Sequence, residues 1–325
     1  MHSAAALILH RNASHQNVET LHDNVFWAGA APRISIVIPS YHYDCSDLID
    51  ALVRCKASAL TEIIVYEDGA RDHELLAKME QNAGNAHAAV RIVSSWNNRG
   101  RAAARNAAVT HARSEWILLL DADMAPDSMD FIETYLDAEE RLEVPAVVVG
   151  GNSLRFAPTS RKLGLHRWQS LTSECLSAER RNEAPERYVF TSNVLVHKKV
   201  LEACPFDESF VGWGWEDTDW GLEAQKHFPV HHIDNNATHL GLDDDKALLA
   251  KYARSGANFA RMAERHPEAA ATMPLYRAAR ACRGLPFRSG FRVLARLLAR
   301  SPLLPLALRG RAMKAWRALV YAEAL

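Results

Sequence analysis

Trp116-Ile117-Leu118-Leu119-Leu120-Asp121-Ala122-Asp123 is the stretch that decides the fold. Five consecutive apolar residues without helical spacing read as a strand buried on both faces, the kind found inside parallel α/β sheets. The run stops on a carboxylate and offers a second one two positions later. In open α/β sheets ligands collect beyond the carboxyl ends of the strands. Hard cations such as magnesium or manganese take oxygen ligands and keep positions open for phosphate. Asp121 and Asp123 therefore read as a pair for a metal-bridged nucleoside diphosphate, one on the metal and the other on the ribose or a metal-bound water. A solvated acidic turn would show the same Asp-x-Asp, and its place directly after WILLL is what favours the ligand.

The same pattern repeats on the N-terminal side. Residues 34–38, 62–66 and 90–93 are further apolar strands, and helices are predicted over 46–56 (with Ser46 as its cap), 72–82 and 101–112. Pro39-Ser40-Tyr41 and Glu67-Asp68-Gly69 fall at strand ends, as Asp121-Ala122-Asp123 does, and that agreement outweighs any one motif. On the C-terminal side the pattern predicts helices over 128–141, 168–180 and 216–227, and strands over 146–150, 190–196 and 230–233. From Lys246 onward it is helical and broken by prolines. The fold class is α/β: an open, mostly parallel but mixed sheet flanked by helices, with a basic helical C-terminal extension. Residues 1–32 read as a peripheral arm, 33–123 as a nucleotide-binding half, 124–245 as an acceptor half, and 246–325 as the extension.

Composition narrows the class. A hydrophobic fraction of 48% and a charged fraction of 24% describe an ordinary globular protein. The net charge of −1 conceals a segregation: 16 Lys and Arg against 3 Asp and Glu over 246–325, and 22 against 36 over 1–245. Two parts so different in charge are expected to meet different partners. Five scattered cysteines without a CxxC pair fit a reducing cytoplasm better than a disulfide framework. The first residues, MHSAAALILHRNASHQ, lack the basic lead and apolar length of a signal peptide, and no run is long enough to span a membrane.

Other residues carry chemistry on their own terms. Asp68 could accept a hydrogen bond from a base N–H, or simply open an Asp-Gly turn. Gly100, Arg101 and Arg105 open an alanine-rich helix whose N-terminus and guanidinium groups suit phosphate, although an alanine-rich packing helix would look the same. In Trp213-Gly214-Trp215-Glu216-Asp217-Thr218-Asp219-Trp220, indoles suit sugar C–H faces and carboxylates suit sugar hydroxyls. A carboxylate within reach of an acceptor hydroxyl is also a natural general base. Acidic residues favour the first turn of any helix through its dipole, which is the plainer account. His239 is either a metal ligand or one of 15 ordinary histidines.

Taken in order, IVIPSY (36–41), EIIVYEDG (62–69), NNRGRAAARNAA (97–108), WILLLDAD (116–123) and WGWEDTDWG (213–221) resemble the family 2 glycosyltransferases of the GT-A fold, over about residues 33–245. The resemblance implies that Pro39, Ser40 and Tyr41 line a nucleotide pocket, with Asp68 on the base. Gly100, Arg101 and Arg105 would support the nucleotide, and Asp121 and Asp123 would form a metal-binding DxD motif completed by His239. Asp217 would be the catalytic base of an inverting transfer, with Glu216, Asp219, Trp213 and Trp215 at the acceptor. The implied cofactor is Mn2+ or Mg2+, and the implied donor a nucleotide sugar, most readily a UDP-sugar. Glu67 stands where the family commonly has Asp, Ala70-Arg71-Asp72 replaces a more usual Ser-Thr-Asp, and Trp215 replaces a glycine frequent in related galactosyl- and N-acetylgalactosaminyltransferases. That last change bears on acceptor choice.

Two readings of the tail stand. Phe287, Phe291, Leu294 and Leu298 recur at helical spacing beside Arg288, Arg292, Arg296 and Arg300. Residues 286–325 thus read either as basic amphipathic helices on an anionic membrane, or as helices packed on the acidic domain. The first places the chain in the cytoplasm, peripherally on the inner face of the membrane, with a glycan or lipid-linked acceptor. No nucleic-acid module accompanies the charge. A nucleotidyltransferase would need a phosphate-activating signature after Pro39, which is missing. A non-catalytic GT-A-like scaffold in the same pathway is the remaining alternative, and the presence of both Asp123 and Asp217 argues against it.

Overall fold

A computed structural model describes residues 19–325. Eleven strands lie in this span: β1 Glu19–Asp23, β2 Ile34–Ser40, β3 Thr61–Asp68, β4 Ala89–Ser95, β5 Trp116–Leu120, β6 Met124–Pro126, β7 Val147–Val149, β8 Asn152–Ser153, β9 Asn193–His197, β10 Val230–His232 and β11 Ala237–His239. Eight of them form one sheet in the order β1-β4-β3-β2-β5-β9-β7-β10, and β6-β11-β8 form a small second sheet. The β4-β3-β2-β5 block is parallel, β9 runs antiparallel to both neighbours, and β10 is parallel to β7. The expected open mixed sheet is present.

The apolar runs are central strands because both sheet faces are covered. β5 is buried at every position, and its residues alternate between two cores: Leu118 and Leu120 on one face, Ile117 and Leu119 on the other. Each fully buried Ile, Leu or Val side chain contributes roughly 1.5–3 kcal/mol relative to exposure. The alanines of the Arg101–Val109 helix let its backbone lie close to β2 and β3, with Ala102, Ala104, Ala107 and Ala108 in the second core.

Several expectations change. Of the arm assigned to 1–32, residues 1–18 lie outside the described residues, and the rest is not peripheral. β1 pairs antiparallel with β4, and Trp27 is buried between the guanidinium groups of Arg91 and Arg113. One short edge strand has too few residues for a visible alternation, which is why the sequence did not announce it. Ser46 is the first residue of its helix rather than the cap; its N–H donates to the Asp44 carboxylate. The helix expected over 168–180 is two, Gly164–Ser173 and Ala178–Arg181, separated by a turn.

The extension does not stand apart beyond Asp245. Its helix Leu306–Tyr321 packs on Gly164–Ser173, Asp245–Arg254 and Pro274–Arg283, and Arg309 pairs with Asp245. Met313, Trp316 and Leu319 share a core with Leu165, Leu248 and Tyr252. Among the described residues no helix is long and apolar enough to cross a membrane.

Candidate active site

Topology gathers the carboxylates. β2, β3 and β5 are parallel neighbours, so Ser40, Asp68 and Asp121 emerge at one edge of the sheet. β9 runs the other way, so its beginning lies beside the end of β5. Leu120 faces Asn193, and the Asp121 N–H donates to the Ser192 carbonyl (3.2 Å). The Glu216–Ala224 helix starts at this edge and delivers Glu216 and Asp217.

Two arginines of the Arg101–Val109 helix hold these acids together. Arg105 Nη2 donates to Asp121 Oδ1 (2.9 Å), and its Nη1 lies 3.6 Å from Glu216 Oε1 and 3.5 Å from Asp217 Oδ1. Arg101 Nη2 donates to Asp121 Oδ2 (3.1 Å), and its Nε to Glu216 Oε1 (2.8 Å). Three carboxylates thus share two guanidinium groups. Arg105 Nε and Nη1 and Glu216 Oε2 are buried without a hydrogen-bond partner. Unsatisfied buried donors are rare in folded proteins and costly unless a ligand meets them.

The two key acids are driven apart electrostatically. Burial disfavours the Asp121 carboxylate, but the charges of Arg105 and Arg101 prevail and hold its pKa down at about 2. Burial, then the adjacent Glu216 charge, raises Asp217 to about 6 against the pull of the same arginines. Asp217 keeps 23% of its side chain exposed, whereas Glu216 keeps 5%. Of the two acids, Asp217 is the one a substrate can reach.

Sequence reading missed Thr191, which is fully buried and donates from Oγ1 to Asp217 Oδ1 at 2.6 Å. Only the antiparallel entry of β9 brings it here, and no local pattern signals that. A hydroxyl donating to a carboxylate favours the ionised form. Thr191→Val should therefore move the acidic limb of an Asp217-dependent rate profile to higher pH, with activity lost more at pH 6 than at pH 8. Thr191→Ser should restore the wild-type limb, and an unmoved limb in the valine variant would remove Thr191 from this role.

Beside this network, His239 Nε2 lies 3.2 Å from Asp123 Oδ2. Burial opposes a charge on His239, but the Asp123 hydrogen bond and carboxylate charge outweigh it and raise its pKa. The backbone of Gly241 passes so close that a β-carbon there would meet Asp123 Oδ2 at 2.0 Å, so the Asp123 carboxylate lies where only a glycine leaves it room. Asp123 and His239 supply an oxygen and a nitrogen donor suited to a divalent cation that takes its remaining ligands from phosphate and water. Asp121 does not join them. Both its oxygens are occupied by arginine, and among the described residues no three His, Cys, Asp or Glu side chains gather into a metal cluster.

Other expected residues fall into place or elsewhere. Ser40 is buried and donates to the Tyr43 carbonyl, Pro39 is partly exposed, and Tyr41 lies open at 57% exposure. Asp68 is buried and accepts the backbone N–H groups of Arg99 (2.8 Å) and Gly100 (2.9 Å), so it shapes the loop ahead of the arginine helix. Gly100 sits at φ +86°, a conformation that disfavours a β-carbon. Asp219 points away from the other acids, into Arg265 (2.8 Å) and His266 (3.1 Å) of the extension. Trp215 Nε1 donates to Tyr321 Oη (3.2 Å), and its ring packs on Phe259 and Arg317, while Trp213 leans on Tyr252 and Lys251. The indoles read as sugar platforms are engaged by the basic extension, whose guanidinium and aromatic faces make the same kind of contact. A separate cleft of about 510 Å3, lined among others by Asn152, Arg155, Arg167 and Asn236, contains none of the residues singled out from the sequence.

Known proteins resemble the chain in sequence and in fold. The family described as Glycosyl transferase family 2 matches residues 35–202, just over half of the chain. The succinoglycan biosynthesis protein ExoU of Rhizobium meliloti is 33% identical over 157 residues, 42% of each chain. A dolichyl-phosphate beta-glucosyltransferase, ALG5C, of Trichomonas vaginalis is 33% identical over 94 residues, 28% of this chain and 27% of that one. The chain therefore spans less than half the length of these curated relatives. Among solved structures, the mannosyltransferase PcManGT from Pyrobaculum calidifontis in complex with GDP-Man and Mn2+ superposes with a TM-score of 0.55 at 14% identity, over 93% of this chain and 89% of that one.

Proposed function

The chain belongs to glycosyl transferase family 2 and carries its GT-A fold, and from that premise we propose that it is an inverting glycosyltransferase moving a sugar from a nucleotide-sugar donor to an acceptor hydroxyl in polysaccharide, lipopolysaccharide or glycolipid synthesis. The observation that carries this reading is the split pair of acids on one arginine framework. Asp121, held ionised, belongs to the donor side, and Asp217, poised near neutrality, to the acceptor side. Environments that push two acids apart in this way are the usual mark of divided catalytic roles.

Asp217 would take the proton from the acceptor hydroxyl as its oxygen attacks the anomeric carbon from the face opposite the leaving group. Thr191 orients the carboxylate, and Arg105 limits how far its pKa rises. Arg101 and Arg105 would meet the donor phosphates through guanidinium N–H groups, including those now without partners. Tyr41, open at the end of β2, offers a face for the base, while Asp68 holds the loop that carries the arginines. A divalent cation held by Asp123 and His239 would neutralise charge on the departing nucleoside diphosphate. UDP is the nucleotide we favour, manganese or magnesium the metal, and a glycan or lipid-linked hydroxyl the acceptor.

Thermal shift tests the reading directly. UDP-sugar with manganese should raise the melting temperature, by about 2.7 kcal/mol of stabilisation at a ligand concentration of 100 times Kd. Manganese alone should do less. If GDP- or TDP-sugars act and UDP-sugars do not, the nucleotide assignment moves. If no nucleotide sugar acts with or without metal, the reading fails.

A further inference from the structure

Nearly half of the large apolar side chains that the described residues leave exposed lie in one short segment: ten of 21 fall between residues 285 and 308. Such concentration marks an interaction surface rather than ordinary scatter. The Arg288–Arg300 helix explains it. Its contact with the Leu306–Tyr321 helix is made by two small residues, Ala295 and Ala299, which are buried. Phe291, Leu294, Leu297 and Leu298 consequently face outward, 40–63% exposed, and Phe287 and Leu303 at the two ends are 87% and 90% exposed.

The helix is amphipathic the wrong way round for a soluble protein, with its broad apolar arc toward solvent. Phe287 adds to this. It caps the helix at φ +56°, a left-handed conformation that a β-carbon disfavours, and no protein contact covers its ring.

The charge beside this arc selects the occupant. Residues 274–325 carry 11 Lys and Arg against one acid, Glu323, which is engaged by Arg292. Arg296 and Arg300 line the arc and are exposed, as is Arg311 on the next helix. A second copy docking here would bring the same basic edge against itself. Nucleic acid would meet the arginines but leave the leucines in water. A bilayer with acidic headgroups accommodates both, apolar side chains at the acyl boundary and guanidinium groups at the phosphates.

We propose that residues 285–308 form the docking face for an anionic lipid bilayer, with the Arg288–Arg300 helix lying in the interface plane. The Leu306–Tyr321 helix then serves as the mount, since its own apolar line is buried in the protein. The proposal deepens the reading of a lipid-linked or membrane-proximal acceptor, and rests on that reading only for its purpose.

Flotation of the full chain with vesicles tests it. The protein should float with phosphatidylcholine vesicles containing about one third phosphatidylglycerol, and added salt should weaken the association. Leu294→Ser with Leu297→Ser, and separately Arg296→Gln with Arg300→Gln, should each reduce binding by about tenfold or more. All four side chains are exposed, so melting temperature and nucleotide binding should stay unchanged. Absence of binding to anionic vesicles at low salt overturns the proposal. So does equal binding to neutral vesicles by the arginine variant, or a dimer broken by Leu297→Ser in a protein that ignores vesicles. Nucleotide-sugar thermal shift is read without lipid, so a failure here leaves the transferase reading standing.

Discussion

Asp217→Asn should lower the rate of sugar transfer by about 10²–10⁴-fold, the range for loss of a positioned general base, while nucleotide-sugar binding is retained. The amide keeps the shape and the hydrogen bond to Thr191 but cannot accept the acceptor's proton. In the wild-type protein, kcat/KM should rise with pH through about 6, where Asp217 ionises, and the residual activity of the asparagine variant should lose that limb. Stability responds with the opposite sign. Because the folded pKa of Asp217 is raised above the ordinary value of 3.8, the native state retains a proton that the unfolded chain releases. Its contribution to stability is therefore fullest below about pH 4 and is lost as pH rises through about 6. The variant should show a flatter stability profile across that window. Full transfer activity in Asp217→Asn would place the base elsewhere, and a wild-type protein that binds donor without transferring or hydrolysing it would favour the scaffold.

Arg105→Ala should cause the largest loss of stability of any single change in the site. Arg105 is 1% exposed and faces three acids, leaving only the half-exposed Arg101 to balance them. Breaking a buried ion pair from one side typically costs about 3–5 kcal/mol. In a chain of this size that lowers the melting temperature on the order of 10 °C. Arg105→Lys should not restore the wild type, because a single ammonium cannot serve three acids as a planar guanidinium does. The pH dependence has a defined sign. Asp121, depressed to about 2, contributes stability that is present above about pH 4 and lost as pH falls toward 2. The gap between wild type and Arg105→Ala should be widest at neutral pH and close toward pH 2. Denaturant titrations at both ends measure it, and a variant as stable as the wild type at pH 7 would show that the charge of the acids is balanced by other means.

What could be read without coordinates follows a physical division. WILLLDAD was legible because a buried parallel strand leaves a continuous apolar run, and because a strand end is a fixed place in the sheet. The arginine helix was legible through its alanines, which must be small to approach β2 and β3. Thr191 was not, since its role depends on the reversed direction of β9 rather than on any neighbour in sequence. Asp219 shows the opposite error. It shares a helix turn with Asp217, yet two residues along a helix rotate the side chain toward a different face, here toward Arg265 and His266. The indoles of Trp213 and Trp215 suit sugar locally, and nothing nearby in sequence says that Lys251 and Tyr252 reach the first and Arg317 and Tyr321 the second. At Asp121 the motif counts carboxylates but not the two arginines that donate to them.

The contact between Trp215 and Tyr321 joins residues 106 positions apart. The nucleotide side of the site is built from neighbouring strands and the helices between them, whereas the wall behind the Glu216–Ala224 helix waits for a segment far down the chain. Closing so long a loop is slow and entropically costly, so that wall is expected among the last parts of the site to assemble and the first to loosen. Trp215 itself sits at φ +78°, strained for a residue with a β-carbon, and the Tyr321 and Arg317 contacts hold it there. A cut in the loop before the Leu306–Tyr321 helix would therefore unmoor the acceptor side while sparing the donor side. The donor side of the site is thus expected to form early and the acceptor wall late in each round of folding.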